Sequence, residues 1–193
     1  NDTVGELAYE LSFKERLKLF PLILEDISRA LWNLHNNNLI HRDIKPNNII
    51  RMKDGSFKLI DFGFSRNSVG EMTRYAYDGF LVWDEDYTYK TDICQLGVTL
   101  YSFLYKKIIN VEDIHYFIMD NWTEWSSIIL GMTCKDKNKR LSAKNILTCL
   151  EIDVPVDEIN ISFKQYGEIC EEDSKNSISD SKEDIPYILS KIK

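Results

Sequence analysis

The chain has 193 residues, is 44% hydrophobic and 28% charged, and carries a formal net charge of −7. That length is a prior for one domain and the composition is normal for a globular protein; no apolar run reaches the roughly 18 residues of a membrane span, and no signal peptide opens the chain. Residues 151–193 hold eleven acidic and five basic side chains, −6 of the total, which leaves −1 on residues 1–150 and no basic footprint for nucleic acid. Cys94, Cys134, Cys149 and Cys170 are scattered without a Cys-x-x-Cys pair, so neither zinc nor a redox motif is indicated and a reducing, cytoplasmic setting is expected.

Residues 13–36 predict a helix. Leu17, Phe20, Leu24, Ile27, Leu31 and Leu34 recur at spacings of three and four and form one apolar stripe. Ser12 followed by Glu15 is a capping box, and Asn36-Asn37-Asn38 ends the pattern. Pro21 lies inside it and is expected to kink the helix or to divide it in two. His35 reads as a helix-end histidine rather than a catalytic one.

Residues 41–63 read HRDIKPNNIIRMKDGSFKLIDFG. Ile49, Ile50 and Met52 form one β-prone run and Phe57, Leu59 and Ile60 another. Lys53-Asp54-Gly55-Ser56 supplies the turn, with Asp-Gly tolerating the positive φ of tight hairpins. A hairpin of this length returns its ends to one place, so Asp43, Lys45 and Asn48 are expected beside Asp61. Two carboxylates, a carboxamide and an ammonium at one spot suit Mg²⁺ and phosphate oxygens. The bland alternative makes Asp43 and Asp61 ordinary turn residues, which explains neither Lys45 nor Asn48.

Farther on, Ile93, Leu96, Leu100, Phe103 and Leu104 make an all-round apolar helix, the mark of a buried central one, and place Cys94 inside as a reduced thiol. Residues 111–132 carry two further helical patterns, with Trp122 and Trp125 assigned to the core. Ser142 is read as the cap of a last helix through Leu150. From Glu171 to Asp184 the chain is acidic, Ser-rich and short of large apolar groups, so it is expected to stay flexible; Ile185-Pro186-Tyr187-Ile188-Leu189 is apolar again. The domain reading is thus a folded body, 1–150, and an acidic tail, 151–193.

The stretch His41–Asn48 together with Asp61-Phe62-Gly63 resembles the catalytic core of the eukaryotic protein kinases, the H-R-D-x-K-P-x-N loop followed by D-F-G. The resemblance covers about residues 5–150 and implies a mainly α, kinase-like C-terminal lobe with a small β-hairpin near 49–60. It implies ATP and Mg²⁺ as cofactors and a protein substrate. Asp43 would accept the substrate hydroxyl proton, Lys45 would neutralise the transferring phosphoryl group, and Asn48 and Asp61 would hold Mg²⁺. Phe62 would pack under His41, and Ile50 would form the apolar floor beneath adenine. Gly5-Glu6-Leu7 matches the segment after the hinge between lobes, where Glu6 either reaches the ATP ribose or is a solvated helix-start glutamate. Lys45, two residues after Asp43, points to Ser/Thr rather than Tyr acceptors.

The chain also departs from the family pattern. Residues 64–91 would be the activation and substrate-binding segment, yet Ala-Pro-Glu is missing. Ala76-Tyr77-Asp78 is the nearest match, and a register that aligns Thr73 with the family's threonine stays open. Ser65, Ser68, Thr73 and Tyr75 are candidate phosphorylation sites, with Arg42 as the phosphate's partner. Residues 92–97 resemble D-x-W-S-x-G, with Asp92 and Gly97 matching and Cys94 and Gln95 in place of Trp and Ser. Asp92 would accept hydrogen bonds from the catalytic-loop backbone. Residues 135–142 resemble the family's D-P-x-x-R-x-[ST] turn, and Arg140 would pair with Asp78.

No G-x-G-x-x-G occurs, and the 40 residues before His41 read as helix. The N-terminal lobe with its glycine-rich roof and phosphate-binding lysine is therefore expected to be supplied in cis or in trans. Three readings stay open: the C-lobe portion of a Ser/Thr kinase, a lobe-only binding or scaffold module without activity of its own, or an enzyme completed by another chain.

Overall fold

The structure, a computed structural model, describes residues 2–67, 70–71, 86–107 and 111–150. The first helix, α1 (Val4–Glu10), starts on a reciprocal cap. The Thr3 hydroxyl accepts from Glu6 N, and Glu6 Oε2 accepts from Thr3 N at 2.7 Å. The same device opens α2 (Phe13–Asn36) at Ser12 and Glu15, as the sequence predicts. Each box satisfies backbone donors that the first helical turn leaves without partners.

Pro21 neither divides α2 nor stops it; one helix runs through. The missing N–H costs a single rung, while Phe20, Ile23, Leu24, Ile27 and Leu31 are buried on its inner face. Each such side chain contributes roughly 1.5–3 kcal/mol of burial, enough to outweigh the lost rung. At the far end Asn38 adopts φ 56° and Leu39 N donates to Leu34 O at 2.9 Å. Asparagine tolerates this left-handed turn better than most residues.

The hairpin forms where expected, as β1 (Ile49–Arg51) and β2 (Phe57–Leu59), antiparallel with Ile50 opposite Lys58. Gly55 takes φ 90° in its turn. Residues 2 and 3 lie along the other edge of β1: Arg51 N donates to Asp2 O at 2.8 Å, and Thr3 bridges Ile50. A second small ladder joins β3 (Gly70–Glu71) to β4 (Asp86–Tyr87).

Helix α3 (Tyr89–Tyr105) is the axis of the core, with every residue from Thr91 to Leu104 buried. Against it lie α2, α4 (Val111–Asp120) and α5 (Ser126–Met132), while α6 (Ala143–Cys149), capped by Ser142, packs on α2. A Cβ at Gly97 would come within 2.8 Å of the Thr133 side chain and 2.9 Å of Met132 Cβ. Hydrogen at that position is what lets α3 lie against the end of α5. Arg16, also buried, donates from Nε to Leu104 O at 3.0 Å and from Nη1 to Ala8 O at 3.2 Å. It stitches α1, α2 and the carbonyl end of α3, where helix dipoles favour a cation.

The mainly helical fold with one hairpin at 49–60 is thus borne out. Trp125 packs on the core and stacks on Phe20 at 5.0 Å between ring centroids. Trp122 corrects the sequence reading: it is 53% exposed, because it sits in the short connection between α4 and α5 rather than on a helix face. The readings of Ser68, Thr73, Tyr75, Ala76-Tyr77-Asp78 and the 151–193 tail lie outside the described residues.

Candidate active site

Between α2 and β1 the chain crosses the face of α3 as an extended loop and one 3-10 turn, Pro46–Asn48. Such a loop leaves its backbone polar groups without ladder partners, and buried ones must find partners elsewhere. Here α3 supplies them. Asp92, fully buried, accepts from His41 N and from Arg42 N, each at 2.9 Å. Gln95 Oε1 accepts from Ile44 N at 3.2 Å, and the Thr99 hydroxyl donates to Ile44 O at 3.3 Å. Asp92, Gln95 and Thr99 lie on one stripe of the helix.

Held this way, the loop brings three polar side chains together. Lys45 Nζ lies 2.8 Å from Asp43 Oδ2. Asn48 Nδ2 donates to Asp43 O and to Asp43 Oδ2, both at 2.8 Å. Asp43 Oδ2 is thereby doubly engaged, and among the described residues no donor reaches Oδ1. The Asp43 and Lys45 side chains keep 14% and 22% exposure, so the cluster faces outward from a buried base.

His41 ties the loop to the segment after β2. Its Nε2 donates to Ile60 O at 3.2 Å, and its Nδ1 accepts from Asp43 N at 3.3 Å. One donor and one acceptor require a neutral imidazole. Burial lowers the His41 pKa below its ordinary value, against the pull of Asp92, Asp43 and Asp61, and so favours that form. Phe62 meets the His41 ring edge-on, 4.9 Å between centroids. Ile60 N donates to Asn48 O at 2.9 Å, which brings Asp61 to the same end of the hairpin. Asp61 itself is exposed, with φ 63°, and accepts from Gly63 N at 3.2 Å.

For a divalent cation the donor set fits. With Nδ2 given to Asp43, Asn48 keeps Oδ1 as an acceptor, and Asp61 offers an exposed carboxylate. Among the described residues no three His, Cys, Asp or Glu side chains converge. Mg²⁺ shared with phosphate oxygens and waters needs only one or two protein oxygens. Of the predicted nucleotide residues, Lys45 and Asn48 belong to this cluster, while Ile50 and Glu6 lie on neighbouring elements. Ile50 is half-buried in β1, and the Glu6 carboxylate is engaged in the α1 cap.

The protein kinase domain model matches residues 5–149. The chain belongs to the protein kinase family. It is 30% identical to an Aurora kinase of Debaryomyces hansenii over 74% of this chain and 40% of that one. It is 29% identical to serine/threonine-protein kinase 36 of Pongo abelii over 65% of this chain and 11% of that one. With serine/threonine-protein kinase ppk11 of Schizosaccharomyces pombe it shares 38% identity over 47% of this chain and 31% of that one. The kinase chain thus spans less than half the length of these relatives. A solved ROP18 kinase domain in complex with AMP-PNP and sucrose aligns with a TM-score of 0.64 at 21% identity, over 92% of this chain and 52% of that one. That likeness shows the fold.

Around this cluster, sequence reading missed His35. Its Nε2 donates to Asp92 Oδ2 at 2.9 Å, so the helix-end histidine braces the carboxylate that holds the loop. The partners are 57 positions apart, and no local pattern announces the pair. Tyr87 was missed as well. The Arg42 guanidinium lies over its ring, 4.6 Å from the centroid. Arg140, fully buried, ties the first turn of α3 to the segment after α5: it donates to Cys134 O at 2.9 Å and to Lys90 O at 3.0 Å. The expected pairing of Arg140 with Asp78 lies outside the described residues.

Proposed function

We propose that the chain is the catalytic lobe of a protein serine/threonine kinase, which moves the γ-phosphoryl group of ATP to Ser or Thr hydroxyls of protein substrates. The observation that carries the reading is the Asp43–Lys45–Asn48 cluster fixed on α3. The substrate hydroxyl oxygen bonds to the γ-phosphorus as the bond to the ADP oxygen breaks. The hydroxyl proton passes to Asp43, whose Oδ1 is the oxygen left clear while Oδ2 is held by Lys45 and Asn48. Lys45 Nζ sits beside that carboxylate and offsets charge on the transferred group. Mg²⁺, when bound through Asn48 Oδ1 and Asp61, would neutralise phosphate charge. Ile50 is assigned to the adenine floor and Glu6 to the ribose edge, through the oxygen that the cap leaves over.

Phosphoryl transfer depends mostly on positioning and charge stabilisation, and this lobe supplies one face of the clamp on ATP. The test is transfer from radiolabelled ATP to a generic Ser/Thr substrate, with Asp43→Asn as control. The chain alone is expected to be silent, and addition of an upstream ATP-binding lobe to restore transfer that the control lacks. Persistent silence with a folded upstream lobe would favour a binding module. Phosphate found only on tyrosine would reverse the acceptor assignment.

A further inference from the structure

We propose that Gln95 is a positioning residue for Asp43, a role taken on at a place where the family pattern carries a serine. The geometry stands by itself; the consequence for phosphoryl transfer rests on the function proposed above.

Asp43 lies between two peptide groups, and one carboxamide grips both. Gln95 Oε1 accepts from Ile44 N at 3.2 Å, and Gln95 Nε2 donates to Arg42 O at 3.4 Å. The same nitrogen donates to the Tyr87 hydroxyl at 3.3 Å. A carboxamide has one acceptor oxygen and two donor hydrogens, and here it meets one N–H, one carbonyl and one hydroxyl. A serine would be shorter and would have a single hydrogen to give. Each contact is long, so none is strong alone. Their value is geometric: they bracket Asp43 from both sides at a residue that is 5% exposed, where water is a poor substitute.

A second observation makes the grip more than incidental packing. Arg42 is held at φ 74°, a left-handed conformation that a side-chain-bearing residue rarely adopts. A strained residue persists only where its surroundings over-determine it. Asp92 fixes the N–H of Arg42, Gln95 its carbonyl, and the Tyr87 ring its guanidinium. Tyr87 belongs to β4, so the circuit Arg42–Tyr87–Gln95 also links the loop to the strand that leads into α3. The carbonyl of Asp43 itself is left to Asn48.

The alternative is a buried glutamine that adds stability and nothing else. Two variants of the 193-residue chain separate the readings. Gln95→Leu keeps the bulk and removes all three hydrogen bonds. Gln95→Glu keeps an acceptor for Ile44 N–H and loses the donors to Arg42 O and Tyr87. Amide hydrogen exchange read by NMR should be about tenfold faster at Ile44 in the leucine variant. It should stay near wild type at Ile44 in the glutamate variant, with α2 amides such as Ile27 unchanged in both. Unchanged exchange at Ile44 in the leucine variant overturns the proposal, as does equal acceleration throughout α2, which would mean global destabilisation. Should the leucine variant not fold, Gln95→Asn, one methylene too short, takes its place.

With an upstream lobe added, the leucine variant should lose about 10²-fold in kcat, the scale of a small misplacement of a reacting group, with KM for ATP within about twofold. A change confined to KM overturns the proposal. If the wild-type assembly transfers no phosphate, the function proposed above fails, while the exchange comparison still decides whether Gln95 holds the loop.

Discussion

Asp43 and Asp61 stand at the two ends of one hairpin, and the fold treats them differently. Around Asp43, the peptide groups of Arg42 and Ile44 are met by side chains from α3, and its carboxylate is shared by Lys45 and Asn48. Asp61 is exposed, with one hydrogen bond inside its own turn, and Phe62 and Phe64 beside it are 48% and 45% exposed. The helical body therefore builds the Asp43 half of the site by itself. That half is fixed before any ligand arrives, which is the preorganisation that the proposed electrostatic role requires. The Asp61 half is presented on the surface, with two aromatic rings that another surface is free to cover.

The comparison breaks most completely at Asp92. Its carboxylate is fully buried and serves His41 N, Arg42 N and His35 Nε2. Asp92→Ala leaves those donors without their acceptor in a buried site. A loss of about 3–5 kcal/mol in urea unfolding is expected, the range for stranding buried charged or polar partners. Asp92→Asn, which keeps one acceptor oxygen, should lose less. A loss under about 1 kcal/mol for the alanine variant would show that the loop is held by other means.

Acid provides a graded version of the same break. Burial lowers the pKa of His41 and of His115, the latter lying beside Thr133 O and Oγ1 at 3.3 and 3.1 Å. A histidine whose folded pKa is depressed binds fewer protons folded than unfolded. Its contribution is fully present above the unfolded value near 6.5 and is lost as pH falls through the folded value. Each histidine adds a slope of at most about 1.4 kcal/mol per pH unit below about 6.5. Stability measured by urea between pH 7.5 and 5.5 should be flat above that point and should fall beneath it. For His41 the protonated ring can no longer accept from Asp43 N, so the protection of that amide, relative to its intrinsic exchange rate at each pH, should fall in the same window. Stability that rises with acid there would reverse the assignment.

How far the sequence carried this picture depends on the range of each interaction. The stripe Phe20–Leu24–Ile27–Leu31, the Ser12–Glu15 box and the Asp54-Gly55 turn are local patterns, and each is found where it was read. Asp43, Lys45 and Asn48 share one loop, so their meeting was legible too. His35 with Asp92 and Gln95 with Ile44 join residues 57 and 51 positions apart, which only the packing of α2 and the loop on α3 creates. Arg16 has no signal at all: its periodicity marks an ordinary helix position, and burial follows from carbonyls on two other helices. Trp122 shows the converse error, an aromatic residue assigned to the core by composition and left outside by its place in a connection.

The finest test of the contrast is at Asp61, where almost no stability is at stake. Asp61→Ala would confuse two effects, since alanine in a left-handed conformation costs about 1 kcal/mol or more, and φ here is 63°. Asn shares with Asp a tolerance for that conformation, so Asp61→Asn removes the charge and leaves the backbone alone. The side chain is exposed, and its one bond among the described residues, from Gly63 N, is retained by the amide oxygen. The unfolding free energy should therefore stay within about 0.5 kcal/mol of wild type, as for surface changes generally. On the proposed role of Asp61 as a metal ligand, Mg²⁺ binding should respond in the opposite proportion, because that ligand loses its charge. In the chain with an upstream lobe, calorimetric titration with ATP is expected to lose its Mg²⁺ dependence in the variant. A variant that binds Mg²⁺ and ATP as well as wild type does would remove Asp61 from the metal site. A variant that unfolds would show that the fold holds Asp61 as tightly as Asp43, and the contrast between the two carboxylates would be gone.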